Sequence, residues 1–123
     1  MGYHKSIVKR NERRRNRSKK TSFAHPSLNR LVIHRSLKHF EAQVVDDFKG
    51  HTILSASSKS KDLKAALKNI KNKVDLSKKV GESLAVKAKQ MRIKSVVLDR
   101  NGYPYHGRVK AFVESVRKNG LNL

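Results

Sequence analysis

Nine of the first twenty residues are lysine or arginine, and Ile7 and Val8 are the only aliphatic ones among them. Whatever core this chain builds must therefore come from the residues beyond that leader. The bases are Lys5, Lys9, Arg10, Arg13, Arg14, Arg15, Arg17, Lys19 and Lys20; Glu12 alone opposes them, which leaves +8 over twenty residues. A segment of that kind buries too little to fold alone and reads as an arm that orders on a phosphate backbone. Thr21 to Asn29, with His25 and Pro26, reads as a turn-like connector. The expected division is a disordered basic arm with its connector over residues 1–28 and one globular domain over residues 29–123.

The imbalance continues through the body. The chain carries 30 Lys+Arg against 9 Asp+Glu, +21 over 123 residues. It repels itself unless something anionic neutralises it, and a polyphosphate is the usual partner. At 37% hydrophobic residues there is material for one modest core. Cysteine is absent, which excludes disulfides, zinc ribbons and thiol catalysis. No apolar run approaches the roughly 20 residues that span a bilayer. The leading charges are not followed by an apolar segment, so no secretory signal is expected. A mitochondrial transit peptide is disfavoured because the body is strongly basic as well.

Arg30 to Ser36, with Leu31, Val32 and Ile33 consecutive, reads as a strand covered on both faces. His39 to Asp46 alternates, with Phe40, Ala42 and Val44 on one side and Glu41, Gln43 and Val45 on the other. Asp47-Phe48-Lys49-Gly50 then turns the chain into a third, antiparallel strand, Thr52 to Ala56. Ser57 to Lys73 is lysine-rich, with Leu63, Ala66, Leu67 and Ile70 at helical spacing, and is consistent with a short helix or an ordered loop. A clearer helix comes next, capped by Asp75, with Leu76, Val80, Leu84, Ala88 and Met91 as its apolar stripe. Gly81 inside it is expected to let the helix approach a strand closely. Ile93 to Leu98 is a strand reached by a helical crossover, hence parallel to a neighbour. A last helix runs from about Gly107 to Asn119 and stops at Gly120. The fold class is α/β in the broad sense, α+β: a β-β-β-α-β-α mixed sheet with helices packed on it.

Between the fourth strand and the last helix lies Asp99 to Lys110, Asp-Arg-Asn-Gly-Tyr-Pro-Tyr-His-Gly-Arg-Val-Lys. Such a loop leaves a sheet at its carboxyl edge and enters a helix amino terminus, where free N–H groups and the helix dipole favour a phosphate. Arg100, His106, Arg108 and Lys110 add charge, Tyr103 and Tyr105 add aromatic faces, and the two glycines allow another backbone to come close. Asp99 is expected to pair with the adjacent Arg100.

Arg35-Ser36 followed by His39-Phe40-Glu41-Ala42-Gln43-Val44, then Gly50-His51-Thr52-Ile53-Leu54-Ser55-Ala56-Ser57, Val80-Gly81 with Leu84-Ala85, and Asp99-Arg100 with Tyr105-His106-Gly107-Arg108-Val109 together resemble the bacterial large-subunit ribosomal protein eighteen family. The match runs from about Arg30 to Leu123, behind a basic arm such as that family has. The resemblance implies a non-catalytic cytoplasmic protein that binds 5S ribosomal RNA, helps join it to 23S ribosomal RNA and touches neighbouring large-subunit proteins. It implies no cofactor, no membrane and no small-molecule substrate. Carried over by position, it assigns phosphate contacts to Arg35, Lys38, Arg100 and Arg108, and phosphate or 2′-hydroxyl contacts to Ser36 and His39. Base stacking falls to Tyr103 or Tyr105. His106 is either a contact or a cap of the last helix, and Tyr105 is either a stacking ring or one packed under the loop. In two places the chain departs from the family pattern: Asn101 stands where a glycine often follows Asp-Arg, and Arg92 where glycine commonly ends the long helix.

Other classes are weighed against this. Glu41, Asp46, Asp47 and Asp99 on a mixed sheet suggest a metal-dependent nuclease, since carboxylates can hold two Mg²⁺ ions. Asp46 and Asp47 sit in a hairpin turn, however, where such residues are expected structurally. A sequence-neutral nucleic-acid packaging protein is also compatible with the charge.

Overall fold

The consecutive apolar residues of Leu31 to Ile33 become an inner strand of a four-stranded sheet in the computed structural model, which describes residues 2–18 and 27–123. The strands are β1 (Asn29–Arg35), β2 (Phe40–Asp46), β3 (His51–Ser57) and β4 (Val96–Asp99), in the order β3-β2-β1-β4. β1 and β2, and β2 and β3, pair antiparallel; β4 pairs parallel with β1, as a crossover requires. A register shift between Val44 and Val45 bends the β2–β3 hairpin.

The helices are α1 (Gly2–Ser18), α2 (Lys61–Leu67), α3 (Lys73–Gln90) and α4 (Arg108–Lys118). α3 and α4 supply Val80, Leu84, Ala88, Val109, Phe112, Val113 and Val116 to a core shared with Leu31, Ile33, Phe40, Ala42, Val44, Leu54, Ala56 and Val96. Phe40 and Phe112 meet at its centre, 4.9 Å between ring centroids. These strand residues are the i, i+2 set of each strand, so the helices cover one sheet face only. Where the consecutive Leu31-Val32-Ile33 suggests two covered faces, Val32 is half-buried on a face with no helix.

Several local expectations are corrected. The cap of α3 is Asn72, whose side chain accepts from Val74 N (2.9 Å), so the helix begins before Asp75. Met91, the last member of the expected stripe, is exposed because the helix ends there. Gly81 serves a helix contact instead of a strand contact: a Cβ on it would lie 2.9 Å from Phe112 O on α4. The lysine-rich segment contains a helix, α2, held down by Leu67 and by Leu63 against the core.

The leader, expected to be an arm that buries too little to fold alone, is α1, a helix that keeps to that expectation by burying no described side chain; of residues 5–16 only Ile7 is half-covered. Residues 3–18 contain neither proline nor glycine and are rich in the helix formers Arg, Lys and Glu. Most of the connector, and Lys19 and Lys20, lie outside the described residues. At the other end of the chain Leu121 is buried, and Asn122 runs beside β4: its carbonyl accepts from Val96 N and its N–H donates to Lys94 O, both 2.9 Å. No helix among the described residues is long and apolar enough to cross a membrane.

Candidate nucleic-acid interface

The loop after β4 is anchored from below by a buried carboxylate. Asp99 is 2% exposed, and its Oδ2 accepts from Arg30 Nη1 at 2.6 Å. Arg30 also forks onto Asp47 through Nε and Nη2, both at 3.0 Å, which ties the β2–β3 turn to the root of the loop. Burial alone pulls the Arg30 pKa down, but hydrogen bonds and charges from the two carboxylates outweigh it and the value is raised. The expected Asp99–Arg100 pair is not made: Arg100 is exposed and Arg30, 69 positions away, takes the partner. Asp99 Oδ1 instead accepts from Asn101 N (2.9 Å), holding Asn101 at φ 53°. Asparagine tolerates that left-handed conformation, so the loop closes without glycine there.

Tyr103 packs inward against the core. Its hydroxyl accepts from Arg35 N (3.3 Å) and donates to Arg35 O (3.4 Å), and the Arg35 guanidinium lies 4.9 Å from the ring centroid. Tyr103 is thus the ring packed under the loop. Tyr105 is the more open of the two, 39% exposed, with Arg117 Nη1 3.4 Å from its hydroxyl. Arg108 opens α4 and donates through Nη1 to Ser36 O (2.7 Å), joining the helix start to the β1–β2 turn. Its pKa is lowered, first by burial and then by the charge of Arg35, with Tyr103 acting the other way.

Two guanidiniums therefore stand side by side, and among the described residues neither Arg35 nor Arg108 makes an ion pair. The first turn of α4 adds no acid, and its cap, Gly107, has no side chain to fill it. His106 is exposed and makes no cap bond, so the capping alternative fails. Lys110 and Lys38 are exposed at the same end of the sheet.

Ser36 and His39 are committed within the protein. Ser36 Oγ accepts from His39 N (3.0 Å) and donates to His39 O (3.2 Å), closing the turn. His39 Nδ1 lies 2.9 Å from Oγ of the buried Ser58, which also accepts from Phe40 N (3.0 Å). Among the described residues Nε2 is the ring nitrogen of His39 not engaged in that bond.

Sequence reasoning missed how the leader meets the loop. The α1 backbone crosses Gly102 so closely that a Cβ there would stand 3.0 Å from Arg15 N and 3.2 Å from Arg14 C. Between them is a cleft of about 190 Å³, lined by Asn11, Arg14 and Arg15 of α1, Arg35 of β1 and Asn101 to Pro104 of the loop. Arg10 and Arg13 are exposed along the same helix, while the side chain of Arg17 lies outside the described residues. A cleft lined by three arginines and no carboxylate is suited to a phosphate group. The signal in the sequence was the glycine itself, which anticipates the approach of another backbone but does not say whose.

The carboxylates weighed for metal binding are spent elsewhere. Asp46 Oδ1 accepts from Phe48 N and Lys49 N in the turn, Asp47 and Asp99 share Arg30, and Glu41 accepts from Ser57 Oγ and faces Lys59. Among the described residues no three His, Asp or Glu side chains converge on a metal position.

Comparison with known proteins adds to this geometry. Residues 5–123 match the family model described as "Ribosomal L18 of archaea, bacteria, mitoch. and chloroplast". Large ribosomal subunit protein uL18 of Brachyspira hyodysenteriae is 43% identical over 121 residues, 98% of each chain. The protein of the same name from Caldicellulosiruptor saccharolyticus is 42% identical over 124 residues, again 98% of each. That of Staphylococcus haemolyticus is 53% identical over 92 residues, 75% of this chain and 74% of its own.

Proposed function

Since the chain belongs to the ribosomal L18 family, whose members are structural proteins of the large subunit and not enzymes, we propose that it binds 5S ribosomal RNA and helps attach that RNA to 23S ribosomal RNA. Its place of work is the cytoplasm, as for the bacterial relatives, beside neighbouring large-subunit proteins. The observation that carries the reading is the cleft in which Arg14, Arg15 and Arg35 converge without a carboxylate. Arg108 beside it is fixed by Ser36 and adds a second charge already in place. The contact set is the leader residues Arg10, Arg13, Arg14, Arg15, Arg17, Lys19 and Lys20; Arg35, Ser36, Lys38 and His39 at the first turn; and Arg100, Tyr103, Tyr105, His106, Arg108 and Lys110 around the last loop. Within it Tyr105 is the stacking ring and Tyr103 the support for Arg35.

Filter binding of a 5S RNA transcript and of duplex DNA at matched salt tests this. Clear preference for the RNA is expected; equal binding, or preference for DNA, would favour a packaging role. If six to ten phosphates are neutralised, affinity falls roughly 10³- to 10⁵-fold between about 50 and 200 mM salt on the duplex-DNA calibration, and somewhat less for RNA. A flat salt titration would refute the electrostatic account.

A further inference from the structure

The arginine cleft does not absorb all of the charge. Residues 59–73 hold six lysines and one acid, Asp62. Within them Lys61, Lys64 and Lys68 are spaced at steps of three and four, which puts side chains on one helix face. All three are exposed, and with Ala65 they line an open hollow of about 580 Å³. Leu63 and Leu67 hold a neighbouring side of α2 to the body, and the three lysines stay exposed beside it.

We propose that this stripe is a second binding surface for a sugar-phosphate backbone of ribosomal RNA, separate from the arginine cleft. The inference rests on the ribosomal reading above and extends it to a different face. Two features of α2 favour an anion alongside it. Its cap residue Ser60 makes no side-chain cap bond. Like charges repeat at the spacing where they repel. None of Lys61, Lys64 and Lys68 pairs with a described carboxylate; nearby lysines do, Lys59 with Glu41 and Lys79 with Glu82. A row of phosphates relieves that repulsion. α2 follows β3 at one sheet edge and the loop follows β4 at the other, so the two surfaces belong to opposite margins of the sheet. Lysines, unlike the forked arginines of the cleft, are compact charges on flexible stems and suit a backbone met without regard to sequence.

The test is the salt dependence of binding by the full chain to a 5S transcript and, separately, to a 23S transcript. Three proteins are compared: the wild type, K61Q/K64Q/K68Q, and a control with three other exposed lysines removed, K78Q/K89Q/K94Q. The slope of log affinity against log salt should become shallower by about 2 for the stripe variant on at least one RNA, and by less than 1 for the control. Equal slopes for the two triple variants, or an unchanged stripe slope on both RNAs, would overturn the proposal while leaving the cleft reading intact. A wild type that binds neither RNA would overturn both. Binding to a polyglutamate peptide that disappears in the stripe variant, with RNA slopes level, would assign the surface to an acidic protein and also overturn it. The thermal midpoint of the triple variant should equal or exceed that of the wild type. Should that variant fail to fold, K64Q alone should lower the slope by nearly 1, and no change would count against the stripe.

Discussion

Arg13 on α1 and Arg108 at the start of α4 carry the same guanidinium in opposite settings. Arg13 is exposed on a helix that buries no described side chain, whereas Arg108 is half-buried, bonded to Ser36 O at 2.7 Å and adjacent to Arg35. A phosphate reaching the first must order a long side chain; one reaching the second finds it already placed. The leader therefore supplies the number of charges and the loop supplies their geometry.

Removing residues 1–20 should have the largest effect, since it takes away +8 and one wall of the cleft. The salt slope for RNA binding should fall by about half, with a thermal midpoint within a few degrees of the intact chain. Unfolding on deletion would instead make the leader a structural element. Next comes Arg30→Ala, which strands the buried Asp99 and frees the root of the loop. It should destabilise the fold by about 2 to 3 kcal/mol in urea denaturation, the low end for a broken buried pair because Arg30 keeps a fifth of its side chain in water. The direct comparison is smaller. Arg108→Ala should weaken RNA binding by about 2 kcal/mol and Arg13→Ala by less than about 1 kcal/mol. Equal losses in a gel-shift titration would erase the distinction drawn between the two settings. Smallest is Arg92→Gly, remote from both regions. Arg92 holds φ 58°, and glycine there should raise stability by about 1 kcal/mol without changing RNA affinity.

That residue also shows what a sequence discloses. The resemblance leads one to expect glycine at this position, and the backbone does turn left-handed there, a conformation that Arg92 takes at a cost. The strands were legible because apolar residues either run together, as in Leu31 to Ile33, or alternate, as in Phe40 to Val44. The last helix was legible from Val109, Phe112, Val113 and Val116, all fully buried. Less legible were pairings decided by distance in the fold. Asp99 has a cation beside it in sequence, yet β4 lies parallel to β1 and brings Arg30 to it. Gly81 announced a close approach, but a single chain does not say whether a strand or Phe112 of another helix is the neighbour. Asn72 and Asp75 are both competent caps, and only the path of the preceding turn chooses between them. For the site, the cations could be named one by one, but not that Arg14 and Arg15 would face Arg35 across Gly102, because the leader has no apolar pattern to fix where it lies.

The short tail beyond α4 covers part of a sheet edge. A sheet edge left open at β4 would present unsatisfied amides to any passing strand, and Asn122 occupies the position such a strand would take at the start of β4. At the far margin Lys87 reaches across to the Ser55 carbonyl at 2.9 Å and puts a cation where another backbone would dock. Loss of the last three residues would open the first margin and, through Leu121, loosen the core beneath it. Self-association would then be the earliest sign of damage, ahead of any change in RNA affinity.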